Sequence, residues 1–580
     1  MNNKPIHPVF LNRLRDTAPT QDVTLPFTPT VDGIDVWLQN LPALNVTIIG
    51  DNLERASNAI LSSALNTHQK FALTERITSN LYIYFDECIK EVLDTKFPLN
   101  NKLVALTEKF FLILDNFIGI YISIIKSKEF QSNQFDNNKA VKAIINQQQQ
   151  AVIIHRAMSM FGLQQLFSSM AYRPSAINTW SEINALLCIA KANNSDERET
   201  GLDKHCQYIS PTIIDEFKKI NFTHLSLLNR FRQRDILNVH SILNNEPSSI
   251  ITSEEKLEHA SFFIDLHKDT EITNIATYSE AATSILFFES EKLVQYVSDL
   301  GLTNNKKSLA INRSIVQKLL PCWQKPHVRQ FSRNEDAKDI TIYPGFSNIV
   351  NKLSPNDTPR AKFASKLAPE KDTPFGLSNV EVVPIDRDRY THGTIRSEKD
   401  FVRNVKESRH NVVNADQIWS KKPTISKPNN TQHLGATQKN SSASGFMFTV
   451  SADNKPLLQA AELIGIEHNK TSLELAIIRR LDNTVNEAVS LGVELIAPNI
   501  KLAIICNTDK SIRSREVLFL PGIERIHQPD AIIGLSLLEN TRLTLELKID
   551  DRIELYDISK LVETNSVFTH YTLQKVIKEG

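Results

Sequence analysis

The sequence carries no excess charge of either sign: Lys and Arg together number 66, as do Asp and Glu. That balance excludes the global basic surplus of a protein that grips nucleic acid mainly through its phosphates, and leaves only a local anion site open. Cysteine is scarce. Cys88, Cys188, Cys206, Cys322 and Cys506 are odd in number and scattered, and no CxxC pair suggests a zinc knuckle or redox centre, so they read as reduced thiols. There is no GxxxxGK(S/T) phosphate loop, no HExxH, no GxSxG and no GxGxxG. The common signatures of NTPases, zincins, hydrolases and dinucleotide enzymes are therefore absent, and no catalytic site or metal site is expected.

Long apolar runs are missing too. The strongest, Phe110 to Ile125, is shorter than the roughly 20 residues needed to span a bilayer and contains Asp115 and Asn116. It predicts a buried or interfacial helix. The N-terminal MNNKPIHPVFLNRLRD has no apolar stretch followed by a small-residue cleavage site, so no signal peptide is expected and the chain is expected to be cytoplasmic.

What is present is a soluble, globular composition, 41% hydrophobic and 23% charged, spread over 580 residues. That length predicts several folding units and an α+β multidomain architecture. Residues 1–30 read as a tail and 31–240 as a helical bundle with few glycines. Within Thr74 to Leu93, Ile77, Leu81, Tyr84, Cys88 and Val92 recur at helical intervals and form one apolar stripe. The run Gln147 to Gln150 sits between two helical patterns and is given no function.

Residues 241–320 read as a mixed linking segment, with a short aromatic run at ASFFIDL and a helix over Ser308 to Leu320 that hands over to Pro321. Residues 351–439 are rich in Pro, Asn, Ser, Thr and charge and predict a flexible insertion. Its basic residues, Arg396, Arg403, Lys406, Arg409, Lys421 and Lys422, read as solvated charge. From Gly445 onward the pattern changes to short strands punctuated by turns. In TRLTLELKI, for example, Leu543, Leu545, Leu547 and Ile549 alternate with polar residues. Strands this short and regular predict an antiparallel barrel over 440–506, with 507–580 either extending it or forming a second small β unit.

Two motifs flank the insertion. Arg329-Gln-Phe-Ser-Arg333 lies directly before it, and Asn440-Ser-Ser-Ala-Ser-Gly445 directly before the strand series. RxxxR also occurs at Arg230 to Arg234 in a helical region, so order and context carry more than either motif alone. The arginine fork can donate two hydrogen bonds to guanine O6 and N7 or to a phosphate, and its face can stack on a purine. Asn440 and Ser442 supply short polar groups for base edges, and Gly445 permits a close backbone approach. Asp203, His205 and Cys206 sit close together in sequence but read as a surface loop.

The sequence RxxxR, then NxSxxG, then strands including AIIRRLDN and SLGVELIAP resembles the PilZ family of cyclic di-GMP receptors. The layout is similar to long proteobacterial members that join a helical N-terminal region to an interrupted PilZ domain. The departure is the span between the motifs, residues 334–439, which is longer than the family usually carries. The run DITIYPGF within 321–350 is expected to supply the first barrel strand before the insertion leaves and returns. The resemblance implies that Arg329 and Arg333 lie on a loop that wraps the ligand. It also implies that Asn440, Ser442 and Gly445 open a strand pair on the barrel face. The expected function is a non-catalytic receptor that binds cyclic di-GMP, with no cofactor, and reports to a protein partner. The alternative is an interaction scaffold whose barrel does not bind nucleotide.

Overall fold

The computed structural model describes residues 8–17, 23–41, 45–131, 139–174, 179–201, 207–279, 284–302, 313–324, 334–354, 431–442, 445–468, 473–483, 488–506, 515–535, 544–550, 552–565 and 567–576. Residues Asn351–Gln432 separate from the rest as a unit of their own, of which only 351–354 and 431–432 are described. Most of the expected flexible insertion thus lies outside the described residues.

The N-terminal region is helical, as the apolar periodicity predicts. Its helices are α1 (Pro8–Asn12), α2 (Val31–Gln39), α3 (Val46–Ser62), α4 (Thr67–Val92), α5 (Asn101–Ile125), α6 (Lys128–Gln131), α7 (Lys139–Met170), α8 (Thr179–Ala192), α9 (Ile213–Leu225) and α10 (Gln233–Asn245). Short polar side chains set several starts. Asn66 and Gln69 form a reciprocal capping box on α4, and Asn100 caps α5 by accepting from Leu103 N. The stripe Ile77, Leu81, Tyr84, Cys88 and Val92 is buried on α4.

The apolar run from Phe110 packs inside the bundle as part of α5. Asp115 and Asn116 are matched there: Asn116 donates to Ser57 Oγ at 3.2 Å, and Asp115 pairs with Arg15. No described helix is long and apolar enough to cross a membrane. The glutamine run does not interrupt α7, which passes straight through it, and Gln150 donates to the Phe130 carbonyl at 2.8 Å.

The mixed segment forms an antiparallel four-stranded sheet of β1 (Ile251–Ser253), β2 (Phe262–Asp265), β3 (Thr273–Asn274) and β4 (Ile285–Glu289), in the order β1-β4-β2-β3. Helices α11 (Glu291–Leu302) and α12 (Arg313–Gln324) follow. Pro321 lies inside α12 and does not end it. The reason is tertiary: Trp323, wholly buried, donates its indole N–H to Ser226 Oγ at 3.1 Å, and its carbonyl accepts from Ser290 Oγ at 2.7 Å. Those anchors offset the single helical bond that proline removes.

Two closed antiparallel barrels complete the chain. The first joins β5 (Asn334–Pro344), β6 (Leu434–Ser442), β7 (Gly445–Val450), β8 (Leu463–Glu467), β9 (Glu474–Asn483) and β10 (Val489–Ala497) in the order β10-β7-β6-β5-β8-β9. The chain leaves the barrel after β5 through α13 (Phe346–Leu353) and returns as β6. The return strand starts at Leu434, so the expected insertion boundary at 439 falls inside a strand. The β5–β6 pairing register brings the two ends of the insertion together, with Ile342 opposite Leu434.

The second barrel joins β11 (Lys501–Ile505), β12 (Arg515–Leu520), β13 (Ala531–Gly534), β14 (Thr544–Ile549), β15 (Arg552–Thr564) and β16 (Thr569–Lys575) in the order β11-β12-β13-β16-β15-β14. The C-terminal strands therefore make a separate closed barrel. Because β11 pairs with β12 and β14, the division falls between Ala497 and Lys501 and not at 506. Leu545, Leu547 and Ile549 point into its core, as their alternation predicts; Leu543 lies outside the described residues.

One apolar core runs from the helical region through the small sheet into the first barrel. Backbone bonds reinforce that junction. Phe97 N donates to the Leu458 carbonyl at 2.8 Å, Leu458 N returns to the Phe97 carbonyl at 3.0 Å, and Asn483 N donates to the Tyr172 carbonyl at 2.8 Å.

Candidate functional site at the strand pair after the insertion

The NxSxxG motif builds the hairpin between β6 and β7. Ser442 and Gly445 are opposed, with two residues between them, and Ser442 Oγ donates to the Gly445 carbonyl at 3.2 Å. A register shift at Lys439 sets which side chains face out: Gln438 opposes Phe448, but Asn440 opposes Met447. Gln438 and Phe448 are buried, whereas Asn440, Ser441 and Ser442 are half-buried. Without the bulge the alternation would continue, and Asn440 would point into the barrel. With it, Asn440 and Ser442 share the outer face, where the Asn440 amide lies 3.4 Å from Met447 Sδ.

Gly445 matters for space. A Cβ there would lie 1.9 Å from the Val493 carbonyl oxygen and 3.1 Å from Glu494 Cα. The close backbone approach anticipated for this glycine is made by the neighbouring strand β10. Phe446, next in the chain, is stacked on Phe448 at 5.6 Å and pins the hairpin on its other side.

Arg329 and Arg333 lie outside the described residues, as do Asp203, His205 and Cys206. The residue that follows Arg333, however, is the first of β5. Asn334 is paired with Ser441 and Glu335 with Asn440. The end of the arginine segment therefore leads directly into the strand beside the motif. The other RxxxR is used structurally: Arg234 forks onto Asp94, with Nε at 2.8 Å from Oδ2, and Arg230 ends a short 3-10 turn against β9.

Cross-strand pairing adds residues that motif reading passes over. One row across the outer face runs Asn440, Met447, Gly492 and Arg480, and the next runs Ser442, Gly445 and Glu494. Arg480 binds Asp482 at 2.5 Å, and Asp482 accepts from Asn229 of the helical region at 2.8 Å. Arg479, the extra residue of a β9 bulge, donates Nε to Glu494 at 2.6 Å. Its two Nη groups go to Glu563 of the second barrel at 2.9 and 2.8 Å. Burial works to lower the Arg479 pKa, and the bonds to Glu563 and Glu494 outweigh it, so this guanidinium is firmly charged. The dipeptide is visible in AIIRRLDN, but its partners follow from register, which sequence does not display. Among the described residues no cluster of three or more His, Cys, Asp or Glu side chains is placed to hold a metal ion.

A closed six-stranded barrel interrupted after its first strand, with NxSxxG on the hairpin where the chain returns, defines a PilZ-type domain carried on a helical region. Residues 32–250 match the N-terminal domain of the cyclic-di-GMP receptor FimW, and residues 262–501 match its middle PilZ domain. The chain belongs to this family of cyclic-di-GMP receptors. The second match stops at the first residue of β11, so the second barrel lies beyond the matched residues. No curated protein and no solved structure matches the chain.

Proposed function

We propose that this chain is a cytoplasmic, non-catalytic receptor that binds cyclic di-GMP on the β6–β7 face of its first barrel and passes the second-messenger level to a protein partner. Family membership supports the ligand. The single observation that carries the site is the pairing of Asn334 with Ser441. Arg333 immediately precedes Asn334 in the chain, which supports a reading in which the arginine motif acts beside Asn440 and Ser442. In this reading Arg329 and Arg333 clamp the phosphates and a guanine, Asn440 and Ser442 hold base edges, and Gly445 keeps the hairpin tight against β10. No catalytic signature in the sequence asks for chemistry on the bound nucleotide.

The arginine–phosphate contacts would make the bound and free receptor differ, and that difference is what a partner would sense. Such a shift requires different affinities for the two states, which the phosphates supply through the arginines. Isothermal titration of the full chain with cyclic di-GMP tests the reading, with GTP as control and an Arg329→Ala, Arg333→Ala double variant. Saturable binding that the double variant loses is the expected result. No heat at protein concentrations of about 10–50 μM would overturn it and leave the scaffold as the better account.

A further inference from the structure

The face proposed to receive an anionic ligand contains a carboxylate. Glu494 shares a cross-strand row with Ser442 and Gly445, one strand beyond the glycine, and half of its side chain is exposed. Neighbouring strands lie about 4.8 Å apart, so Glu494 stands about 10 Å from the Ser442 backbone. An unpaired negative charge at that range would oppose phosphate binding.

The structure pairs it. Arg479 gives Glu494 its Nε bond at 2.6 Å, and its orientation is set from the other side by the two-pronged contact with Glu563. Glu563 lies on β15, where a register shift between Leu561 and Glu563 interrupts the pairing with β16. Arg479 itself sits on the bulge of β9, between Ile478, opposite Val493, and Arg480, opposite Gly492. Each of the two side chains thus sits at or beside a register shift. The Glu563 side chain is only 16% exposed, so the fork it holds is well defined. The second barrel thereby fixes Arg479 with its Nε–H aimed at Glu494.

We infer that Arg479 is a positioning residue of the receptor face: held by Glu563 of the second barrel, it offsets the charge of Glu494 and so makes the Asn440–Gly445 face fit for a phosphate-bearing ligand. The inference rests on the receptor reading and gives the second barrel a part in the site. Arg479 touches no ligand in this scheme and acts through Glu494. Its effect is electrostatic, which separates it from a merely structural role.

The test is titration of the full chain with cyclic di-GMP at low ionic strength, comparing wild type with Arg479→Gln, Glu494→Gln and the double variant. Arg479→Gln is expected to bind about fivefold more weakly, a difference that shrinks as salt is added. Replacing Glu494 as well should restore affinity to within about twofold of wild type, because the charge that repels the ligand is gone. Glu494→Gln alone, which leaves the Glu563 contact in place, should bind about two- to fivefold more tightly. Wild-type affinity in Arg479→Gln, or a double variant as weak as Arg479→Gln, would overturn the proposal, as would unchanged or weaker binding in Glu494→Gln. Absence of binding by the wild type is a separate outcome, which overturns the receptor reading itself. Thermal unfolding of each variant establishes that the comparison is between folded proteins.

Discussion

Gly445 and Val493 approach so closely that a single methyl group at 445 would stand 1.9 Å from the Val493 carbonyl oxygen. The obstacle is backbone of a paired strand, with Phe446 opposite Val493 itself, so it cannot rotate away as a side chain would. Gly445→Ala must therefore pry β7 from β10 at the hairpin end. We expect it to destabilise the protein by about 2–4 kcal/mol and to abolish cyclic di-GMP binding. Calorimetric unfolding and titration measure the two effects.

Ser442 separates binding from stability. Its hydroxyl makes one half-buried bond to the Gly445 carbonyl, and the net contribution of such a bond is about 1 kcal/mol. Ser442→Ala should accordingly melt within a few degrees of wild type. If Ser442 also meets the ligand, affinity falls by about tenfold or more. Wild-type affinity in a well-folded Ser442→Ala would remove this residue from the site.

Much of this arrangement is legible in the residues. The helical periodicity of Ile77, Leu81, Tyr84, Cys88 and Val92 predicts a buried stripe, and all five are buried. DITIYPGF reads as a first barrel strand, and β5 contains it as far as Pro344. What escapes sequence is register and tertiary anchoring. The bulge at Lys439 that turns Asn440 outward carries no glycine or proline to announce it. Pro321 looks like a helix end until Trp323 is found buried beyond it. The Arg479 contacts cross between two barrels, and β strands around 480, 494 and 563 reveal nothing of which side chains will meet.

A buried ion pair in the helical region offers a test of packing independent of the ligand. Lys219 and Glu216, both 1% exposed, meet at 2.8 Å, and Glu216 also accepts from Ser210 N at 2.8 Å. Lys219 further donates to Asn244 Oδ1 at 3.0 Å and to the Tyr208 carbonyl. Lys219→Met strands the carboxylate in the interior and should cost about 3–5 kcal/mol, read from urea unfolding. Adding Glu216→Gln removes the stranded charge, so the double variant should be more stable than Lys219→Met alone.

Acid should act through His155. This ring is wholly buried on α7; its Nε2 lies 2.7 Å from the Ser210 carbonyl, which can only accept, so Nε2 carries the proton. Nδ1 is left as an acceptor facing Arg156 Nη1 at 3.5 Å. Burial, aided by the charges of Arg156 and Lys219, lowers its pKa from 6.5 to about 3, against a raising contribution from the Ser210 bond. The unfolded chain therefore binds a proton below pH 6.5 that the folded protein refuses until about pH 3. Stability from this residue is complete above pH 6.5 and falls as pH drops through that window. At about pH 5 the loss is about 2 kcal/mol. His155→Gln keeps an N–H donor for Ser210 and has nothing to titrate. Its unfolding free energy should decline less than that of wild type between about pH 7.5 and pH 5, by about 2 kcal/mol. Parallel pH profiles for the two proteins would show that His155 is not the group that makes the fold acid-sensitive.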